Sequence, residues 1–116
     1  MHEMGIACSI LDAARQETER HPGARLARIG VRVGAWSGVE PDSLRFCFEA
    51  LAAEGGEPAP PVIEIENVPR QNRCPACEKV FAIEAYEIRC PGCGVETTLP
   101  VSGDELELAF IEVEEP

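Results

Sequence analysis

Apolar residues near the start of the chain recur with the period of an α-helix. The apolar positions are Ile6, Ile10, Leu11 and Ala14. They would lie on one face, while the polar residues between them stay in water. This pattern predicts a helix over residues 3–20, which Pro22 and Gly23 would end.

A second helical pattern begins at Pro41, a residue type that suits the first turn of a helix. Its apolar side is formed by Leu44, Cys47, Phe48 and Leu51. The helix is predicted to end at Gly55 and Gly56, just before a run of prolines.

Three further segments alternate between apolar and polar residues, which is the period of a half-buried strand. These segments are residues 25–36, 62–68 and 104–114. In the first, Gly30 and Gly34 fall on the polar face, where a missing side chain lets another group pack closely. In the last, the alternation changes phase after Phe110, which indicates a β-bulge or burial of both faces.

The predicted order is helix, strand, helix, strand, cysteine-rich segment, strand. Each amphipathic strand needs a partner, so we expect an α+β fold in which one three-stranded sheet carries two helices. Residues 70–100 would then be an insertion between the second and third strands. Residues 1–69 and 101–116 would together form the remaining α/β domain.

Composition and charge restrict the partners of the chain. With 116 residues and 45% apolar residues, it can form one modest core and a small appendage. Its net charge of -11 would repel a phosphate backbone, which argues against nucleic acid. Apolar runs are too short to span a membrane, and the start does not resemble a signal peptide. We therefore expect a cytoplasmic protein without a membrane partner.

The cysteine-rich segment contains two Cys-x-x-Cys pairs separated by twelve residues. The four thiols belong to Cys74, Cys77, Cys90 and Cys93. Each pair places two sulfurs on one side of a tight turn, and two facing turns provide the tetrahedron of thiolates that zinc adopts. Because the protein supplies all four ligands, such a site is closed and structural. The segment is thus predicted to be a zinc-ribbon-like subdomain that binds Zn²⁺.

Alternatives to zinc remain at this point. Four reduced cysteines without metal are less expected, since so small a unit lacks the core to fold unaided. Iron also accepts tetrahedral sulfur, and the residues alone do not exclude it. The twelve intervening residues predict a hairpin of residues 80–83 and 85–88, and Gly94 is expected to adopt a positive φ and to turn an N–H toward a sulfur. Cys8 and Cys47, each in a predicted helix, are expected to be small apolar fillers.

The N-terminus Met1-His2-Glu3 offers a second kind of metal ligand. A terminal histidine is usually frayed and solvated, which is the plainer interpretation. However, the α-amine of Met1, the amide and imidazole nitrogens of His2 and the amide of Glu3 can close adjacent chelate rings. Four nitrogens in a plane suit Ni(II) or Cu(II) rather than zinc.

Taken together, these features resemble one known family. The matching segments are Met1-His2-Glu3-Met4, residues 33–41, residues 44–49, the two cysteine pairs and residues 111–114. The combination runs over nearly the full chain and resembles HypA/HybF, the nickel metallochaperones of [NiFe]-hydrogenase maturation.

The resemblance implies a set of functional expectations. The nickel site would be built around Met1, His2 and Glu3, so that the α/β domain is the nickel-binding one, with Ni²⁺ as transient cargo. Cys74, Cys77, Cys90 and Cys93 would bind structural zinc. The expected partners are a HypB-type GTPase, the hydrogenase large-subunit precursor and, since some members support urease, urease accessory proteins. No turnover reaction is implied.

The residues alone allow a rival function, and one segment differs from the pattern of the family. The rival is a zinc-ribbon adaptor that binds other proteins without delivering metal. The departure is the acidic character of residues 103–110, a stretch in which relatives often carry basic residues. It puts in doubt any partner contact that positive charge would make there.

Overall fold

A computed structural model describes residues 2–116, so Met1 lies outside the described residues. Eight elements are present: α1 Glu3–Thr18, β1 Arg25–Gly34, α2 Pro41–Glu54, β2 Val62–Val68, β3 Gln71–Arg73, β4 Val80–Ala82, β5 Leu99–Ser102 and β6 Leu106–Glu114. The α+β prediction of two helices and a three-stranded sheet is confirmed. Neither helix of this described part is long and apolar enough to cross a membrane.

The two helices form because each has one apolar stripe, and α2 also has favourable residues at its N-terminus. In α1 the stripe buries Ala7, Ile10, Leu11 and Ala14, and the helix ends at Thr18, two residues before the predicted end. In α2, Pro41 occupies the first turn and the Glu40 side chain accepts a hydrogen bond from the Asp42 N–H at 3.1 Å. The stripes of both helices pack with the sheet into a single core.

The main sheet has the order β2-β1-β6, so β1 is its central strand. β1 pairs in parallel with β2, with Ile29 opposite Ile63, and antiparallel with β6, with Ile29 opposite Ile111. Ile29, Val31 and Val33 are almost fully buried against the helices. The helix α2 therefore serves as the crossover that parallel strands require.

The other face of this sheet carries no helix, and two glycines of β1 admit close neighbours there. A Cβ on Gly30 would lie 1.9 Å from the Phe110 ring, and one on Gly34 would lie 2.1 Å from the Gly103 carbonyl oxygen. The expectation that these glycines allow close packing is thus confirmed.

Charged side chains cover the rest of that face. Arg28 contacts Glu64 on β2 and Glu112 on β6, the latter at 2.9 Å. Arg32 lies 3.5 Å from Glu66 and 3.0 Å from Glu107. Each exposed pair contributes little alone, but the glutamates of β6 have partners within the fold. The acidic departure in the last strand is therefore partly explained by its neighbours in β1.

The phase change in the last strand is a β-bulge. Gly30 pairs with Phe110 and Val31 pairs with Leu108, which leaves Ala109 without a partner in β1. Leu106 and Leu108 consequently pack against the core before the bulge, and Ile111 packs against it after the bulge. Of the two explanations that the sequence allowed, the bulge is the one that the register shows.

A second sheet with the order β4-β3-β5 lies in the cysteine-rich segment. The predicted hairpin of residues 80–83 and 85–88 is wrong, because residues 85–88 contain no strand. Ala85 and Tyr86 form a tight turn with φ of 50° and 62°, closed by a single bridge between Glu84 and Glu87. β4 pairs instead with β3, and β5 pairs with the other edge of β3. Buried Asn72 donates to Thr98 at 2.9 Å, which satisfies the polar centre of this small sheet.

Side chains also join the second sheet to the main one. The Arg70 guanidinium lies 4.3 Å from the centre of the Trp36 ring and forms an ion pair with Asp104 at 2.8 Å. The Tyr86 ring lies 5.4 Å from that of Trp36. The division into an α/β domain and a zinc-binding subdomain remains a prediction, and these contacts are where the two would meet.

The two glycines of β1 give a matched pair of substitutions. Gly34→Ala should destabilise the protein by about 2 kcal/mol or more, because its Cβ meets backbone that must move. Gly30→Ala should cost less than about 1 kcal/mol, because the half-exposed Phe110 ring can rotate away. Denaturant midpoints of the two variants test this difference. Equal losses would contradict the account of the outer face.

Candidate metal centre

The two Cys-x-x-Cys turns bring four sulfurs together. The Cys74 and Cys93 sulfurs are 3.4 Å apart, those of Cys77 and Cys90 are 3.6 Å apart, and all four lie within 4.8 Å of one another. A tetrahedron with metal–sulfur bonds of about 2.3 Å has sulfur–sulfur edges of about 3.8 Å. The sulfurs are therefore spaced as a zinc ion needs them.

The two turns share one backbone pattern. The Cys74 N–H donates to the Lys79 carbonyl at 2.9 Å, and the Glu78 N–H donates to the Cys74 carbonyl at 2.8 Å. The Cys90 N–H bonds to the Val95 carbonyl and the Gly94 N–H to the Cys90 carbonyl in the same way, at 3.0 and 2.9 Å. Glu78 and Gly94 both have positive φ, at 66° and 81°. Sequence reasoning found this conformation at Gly94 and missed it at Glu78, which holds the corresponding place after Cys77.

Backbone N–H groups also point at the sulfurs. Ala76 and Cys77 donate to the Cys74 sulfur at 3.4 Å each, and Gly92 donates to the Cys90 sulfur at 3.3 Å. The predicted N–H of Gly94 does not do this, because it bonds to a carbonyl. These donors stabilise thiolate, as a metal ligand requires.

The pKa values of the four thiols divide into two groups. The N–H groups of Cys77 and Ala76 lower the pKa of Cys74 to about 6, against the effect of burial. The N–H groups of Cys93 and Gly92 likewise lower the pKa of Cys90.

The other two thiols shift the opposite way. The Val95 N–H lowers the pKa of Cys93, but neighbouring thiols and burial outweigh it and raise that pKa to about 11. The pKa of Cys77 is also raised, because the Cys74 and Cys90 thiols together with burial exceed the lowering by the Lys79 N–H. Four thiolates at these distances repel one another, and a divalent cation between them would remove the repulsion.

The four cysteines of the cluster differ in their exposure to solvent. Cys74 and Cys90 are buried beside Phe81, whereas Cys77 and Cys93 are exposed. Ile83 and Val95 complete a core of only a few side chains. So small a core makes metal binding and folding of this segment parts of one equilibrium.

The described part of the N-terminus lies at the start of α1. His2 is the N-cap residue, and its side chain makes no capping hydrogen bond. Its carbonyl accepts the first helical bond, from the Ile6 N–H at 3.2 Å. Met1, which is the third residue of the predicted nickel site, lies outside the described residues.

Glu3 connects this helix start to the second helix. Its carboxylate accepts a hydrogen bond from the Glu40 N–H at 3.4 Å, although Glu40 is 37 positions away. Its own N–H and that of Glu40 lower the pKa of the Glu3 carboxyl. Glu3 therefore lies beside the start of α2, a contact that the periodicity of the sequence did not reveal.

The remaining two cysteines have different environments. Cys47 is half-buried and packs against the main core, as predicted. Cys8 is exposed, so its interpretation as a core filler is wrong. Among residues 2–116, the four-cysteine cluster is the one group of three or more potential metal ligands whose atoms lie this close.

Comparison with known proteins places the chain in a family. The family model described as "Hydrogenase/urease nickel incorporation, metallochaperone, hypA" matches residues 1–113. Hydrogenase maturation factor HypA of Chlorobium luteolum is 36% identical over 115 residues, covering 99% of this chain and 97% of that protein. HypA of Deinococcus radiodurans is 41% identical over 108 residues, covering 93% and 89%.

Solved structures agree on the fold. The Ni metallochaperone HypA from Helicobacter pylori has a TM-score of 0.65 at 20% identity, with all of both chains covered. A second HypA solution structure has a TM-score of 0.67 at 21% identity, covering 100% of this chain and 98% of that one. The fold, the clustered cysteines and the match over residues 1–113 lead to one conclusion: the chain belongs to the HypA family of nickel-incorporation metallochaperones.

Proposed function

We propose that this protein binds Ni(II) at its N-terminus and delivers it for assembly of the [NiFe]-hydrogenase active site. The observation that carries this proposal is the family match, which includes the N-terminal residues and both cysteine pairs. Delivery to urease is a second destination, consistent with the description of the family. The protein would act by binding and transfer, without catalysing a turnover reaction.

The proposed nickel ligands are nitrogens of Met1, His2 and Glu3. The first N–H groups of a helix have no intrahelical partner, so using the amides of residues 2 and 3 as ligands breaks no bond of the helical ladder. The His2 imidazole is exposed and makes no capping bond, so it is available to an ion. Ni(II) favours such a planar set of nitrogens.

The position at a helix start also favours release. The positive end of the α1 dipole opposes a bound cation, while the nearby Glu3 carboxylate offsets part of that effect. An exposed site at the chain terminus is open to ligands of an acceptor. The opposing effects of the helix dipole and the Glu3 carboxylate would give a site that selects Ni(II) by ligand geometry and still allows the ion to dissociate.

Cys74, Cys77, Cys90 and Cys93 would hold zinc as a permanent structural ion. Four protein ligands leave no open coordination position, and the zinc would link the two turns of the cysteine-rich segment. Reduced thiols fit a cytoplasmic location. The proposed partners are a HypB-type GTPase, the hydrogenase large-subunit precursor and, for urease, its accessory proteins.

The two histidines of the chain provide a matched test of the nickel site. His2→Ala should abolish stoichiometric nickel binding and leave one zinc in place. We expect a loss of affinity beyond the roughly 10–100-fold that removing an outer partner of a ligand costs. Elemental analysis and calorimetry of untagged protein measure both metals.

The control for this experiment is His21→Ala, because His21 is also exposed but lies beyond the end of α1. It should bind nickel like the unaltered protein. Nickel retained by His2→Ala at full affinity would overturn the assignment. If the unaltered, untagged protein captures partner proteins but binds no nickel, that result would instead favour the adaptor function.

A blocked α-amine tests the contribution of Met1. An N-terminal acetyl group or one added residue should weaken nickel binding severely, because one nitrogen of the plane is lost or displaced. Binding should also weaken as pH falls, since protons compete for every nitrogen of the set. Nickel titrations of the free and acetylated forms provide the measurement, and equal affinities would exclude the amine as a ligand.

Removing zinc tests the structural role of the four thiols. Chelation should expose the amides of Cys74 and Cys90, which are bonded within the turns, and raise their hydrogen-exchange rates at least about 100-fold. The amides of Ile29 and Val31 in β1 should change far less. Readdition of zinc should restore protection, and colourless protein with one zinc would exclude iron. Unchanged exchange at Cys74 after verified zinc loss would contradict a structural role.

A further inference from the structure

An apolar groove of about 440 Å³ lies between α1 and β6. Its walls include Gly5, Ile6 and Ile10 from the helix and Leu106 and Leu108 from the strand, and His2 lies at the end nearest the helix start. We call this feature the β6 groove. The nickel proposal uses only His2 of this set, so the apolar walls have no role yet.

The strand side of the β6 groove is an open sheet edge. In the order β2-β1-β6, the described chain gives β6 one neighbour, β1. The Gly34 N–H donates to the Glu105 carbonyl at 2.7 Å, so the backbone of Glu105 faces β1. Because an antiparallel ladder alternates, the N–H and C=O groups of Leu106 and Leu108 face away from β1. Backbone donors and acceptors of β6 that do not bond to β1 therefore lie next to the apolar walls of the groove.

This part of the edge is weakly protected. Natural edge strands are protected by charged side chains, above all Lys, by Pro or by a bulge, which hinder pairing with another strand. The charged side chain within residues 106–108 is Glu107, and Arg32 of β1 pairs with it at 3.0 Å. β6 contains neither Lys nor Pro, and its bulge at Ala109 comes after the segment that borders the groove. Residues 106–108 thus keep a regular strand geometry with an open edge.

Charge selects what can pair with this edge. β6 has Glu107, Glu112 and Glu114 and no basic residue, and Glu105 precedes it. A second copy of β6 alongside the first would place like carboxylates near one another, which disfavours a dimer through this edge. The β6 carboxylates already contact arginines of β1, but Arg28 and Arg32 are each shared with a glutamate of β2, so carboxylates outnumber arginines on this face. A strand with Lys or Arg at alternate positions would therefore still meet net negative charge.

We propose that the β6 groove binds an extended segment of a partner protein, in which apolar residues alternate with Lys or Arg. The segment adds a strand to β6 through the backbone groups of Leu106 and Leu108 and places its apolar side chains between α1 and β6. Because His2 borders the groove, the bound segment lies beside the proposed nickel ligands, and this functional meaning rests on the proposed function. Docking and metal transfer would then occur at one place.

A synthetic peptide tests the proposal on the full-length, zinc-loaded protein. The probe is about ten residues of alternating Val and Lys, since Val favours strands and Lys complements the glutamates. NMR of ¹⁵N-labelled protein should show shifts at Ile6, Ser9, Leu106 and Leu108. The amides of Leu106 and Leu108 should also exchange more slowly with solvent once they are hydrogen-bonded.

Two control peptides separate pairing from general attraction to an acidic protein. Replacing each Lys by Glu should abolish binding, because the acidic edge then faces like charge. Arranging the same Val and Lys residues in two blocks keeps the charge but removes the alternation, and it should weaken binding at least about fivefold. Equal binding of the alternating and block peptides would overturn the proposal.

A matched pair of substitutions on α1 locates the binding. Ser9 is exposed and lines the β6 groove, so Ser9→Tyr fills it and should weaken peptide binding at least about tenfold. Gln16 is exposed two turns further along α1 and outside the groove, so Gln16→Tyr should change affinity less than about twofold. Shifts confined to another surface, or equal effects of the two variants, would overturn the proposal.

The His2→Ala variant shows whether the nickel proposal and the β6 groove proposal fail independently of each other. It should lose nickel and keep peptide affinity within about threefold, because the apolar walls remain. A protein that binds nickel but not the peptide would overturn the β6 groove alone. Concentration-dependent dimers with protected Leu106 and Leu108 amides would show that a second copy occupies the edge, which also contradicts the proposal.

Discussion

The central strand β1 is the constraint on which the rest of the structure depends. It is bonded on both edges, to β2 in parallel and to β6 antiparallel, and Ile29, Val31 and Val33 bury one of its faces against the helices. The absence of side chains at Gly30 and Gly34 lets Phe110 and Gly103 cover the other face. The places of α1, of the open edge of β6 and of the segment between β2 and β6 all follow from this one strand.

The proposed function separates two kinds of coordination site in this fold. The cysteine-rich segment leaves the main sheet after β2 and returns to it before β6, so both of its ends are anchored, and Arg70 and Trp36 add a contact between the sheets. Four sulfurs with N–H donors around them form a closed site that suits a permanent ion. The His2 imidazole is exposed at the start of α1, which suits the proposed role as a ligand of an ion that must leave. The different ligand types, sulfur in one site and nitrogen in the other, would keep the two metals from exchanging places.

Sequence periodicity predicted the elements whose stability comes from one buried stripe or face. Both helices and the three strands of the main sheet were predicted this way, and the cysteine spacing predicted the sulfur cluster. The phase change near Phe110 was also visible in the sequence, but only the register distinguishes a bulge from burial of both faces. The strands of the second sheet are three or four residues long, too short for a period to appear. A tight turn with positive φ at Ala85 and Tyr86 takes the place of the predicted hairpin. The hydrogen bond between Glu3 and Glu40 depends on how the two helices pack, which no local sequence pattern predicts.

If zinc is the permanent ion and nickel the releasable one, as proposed, the two metals should leave the protein at different chelator concentrations. Native mass spectrometry of untagged protein loaded with zinc and nickel, under increasing concentrations of a competing amine-carboxylate chelator, tests this most directly. The account predicts that the species with both metals converts first to protein with zinc alone, while the sulfur cluster stays filled. Simultaneous loss of both ions, or loss of zinc before nickel, would contradict it.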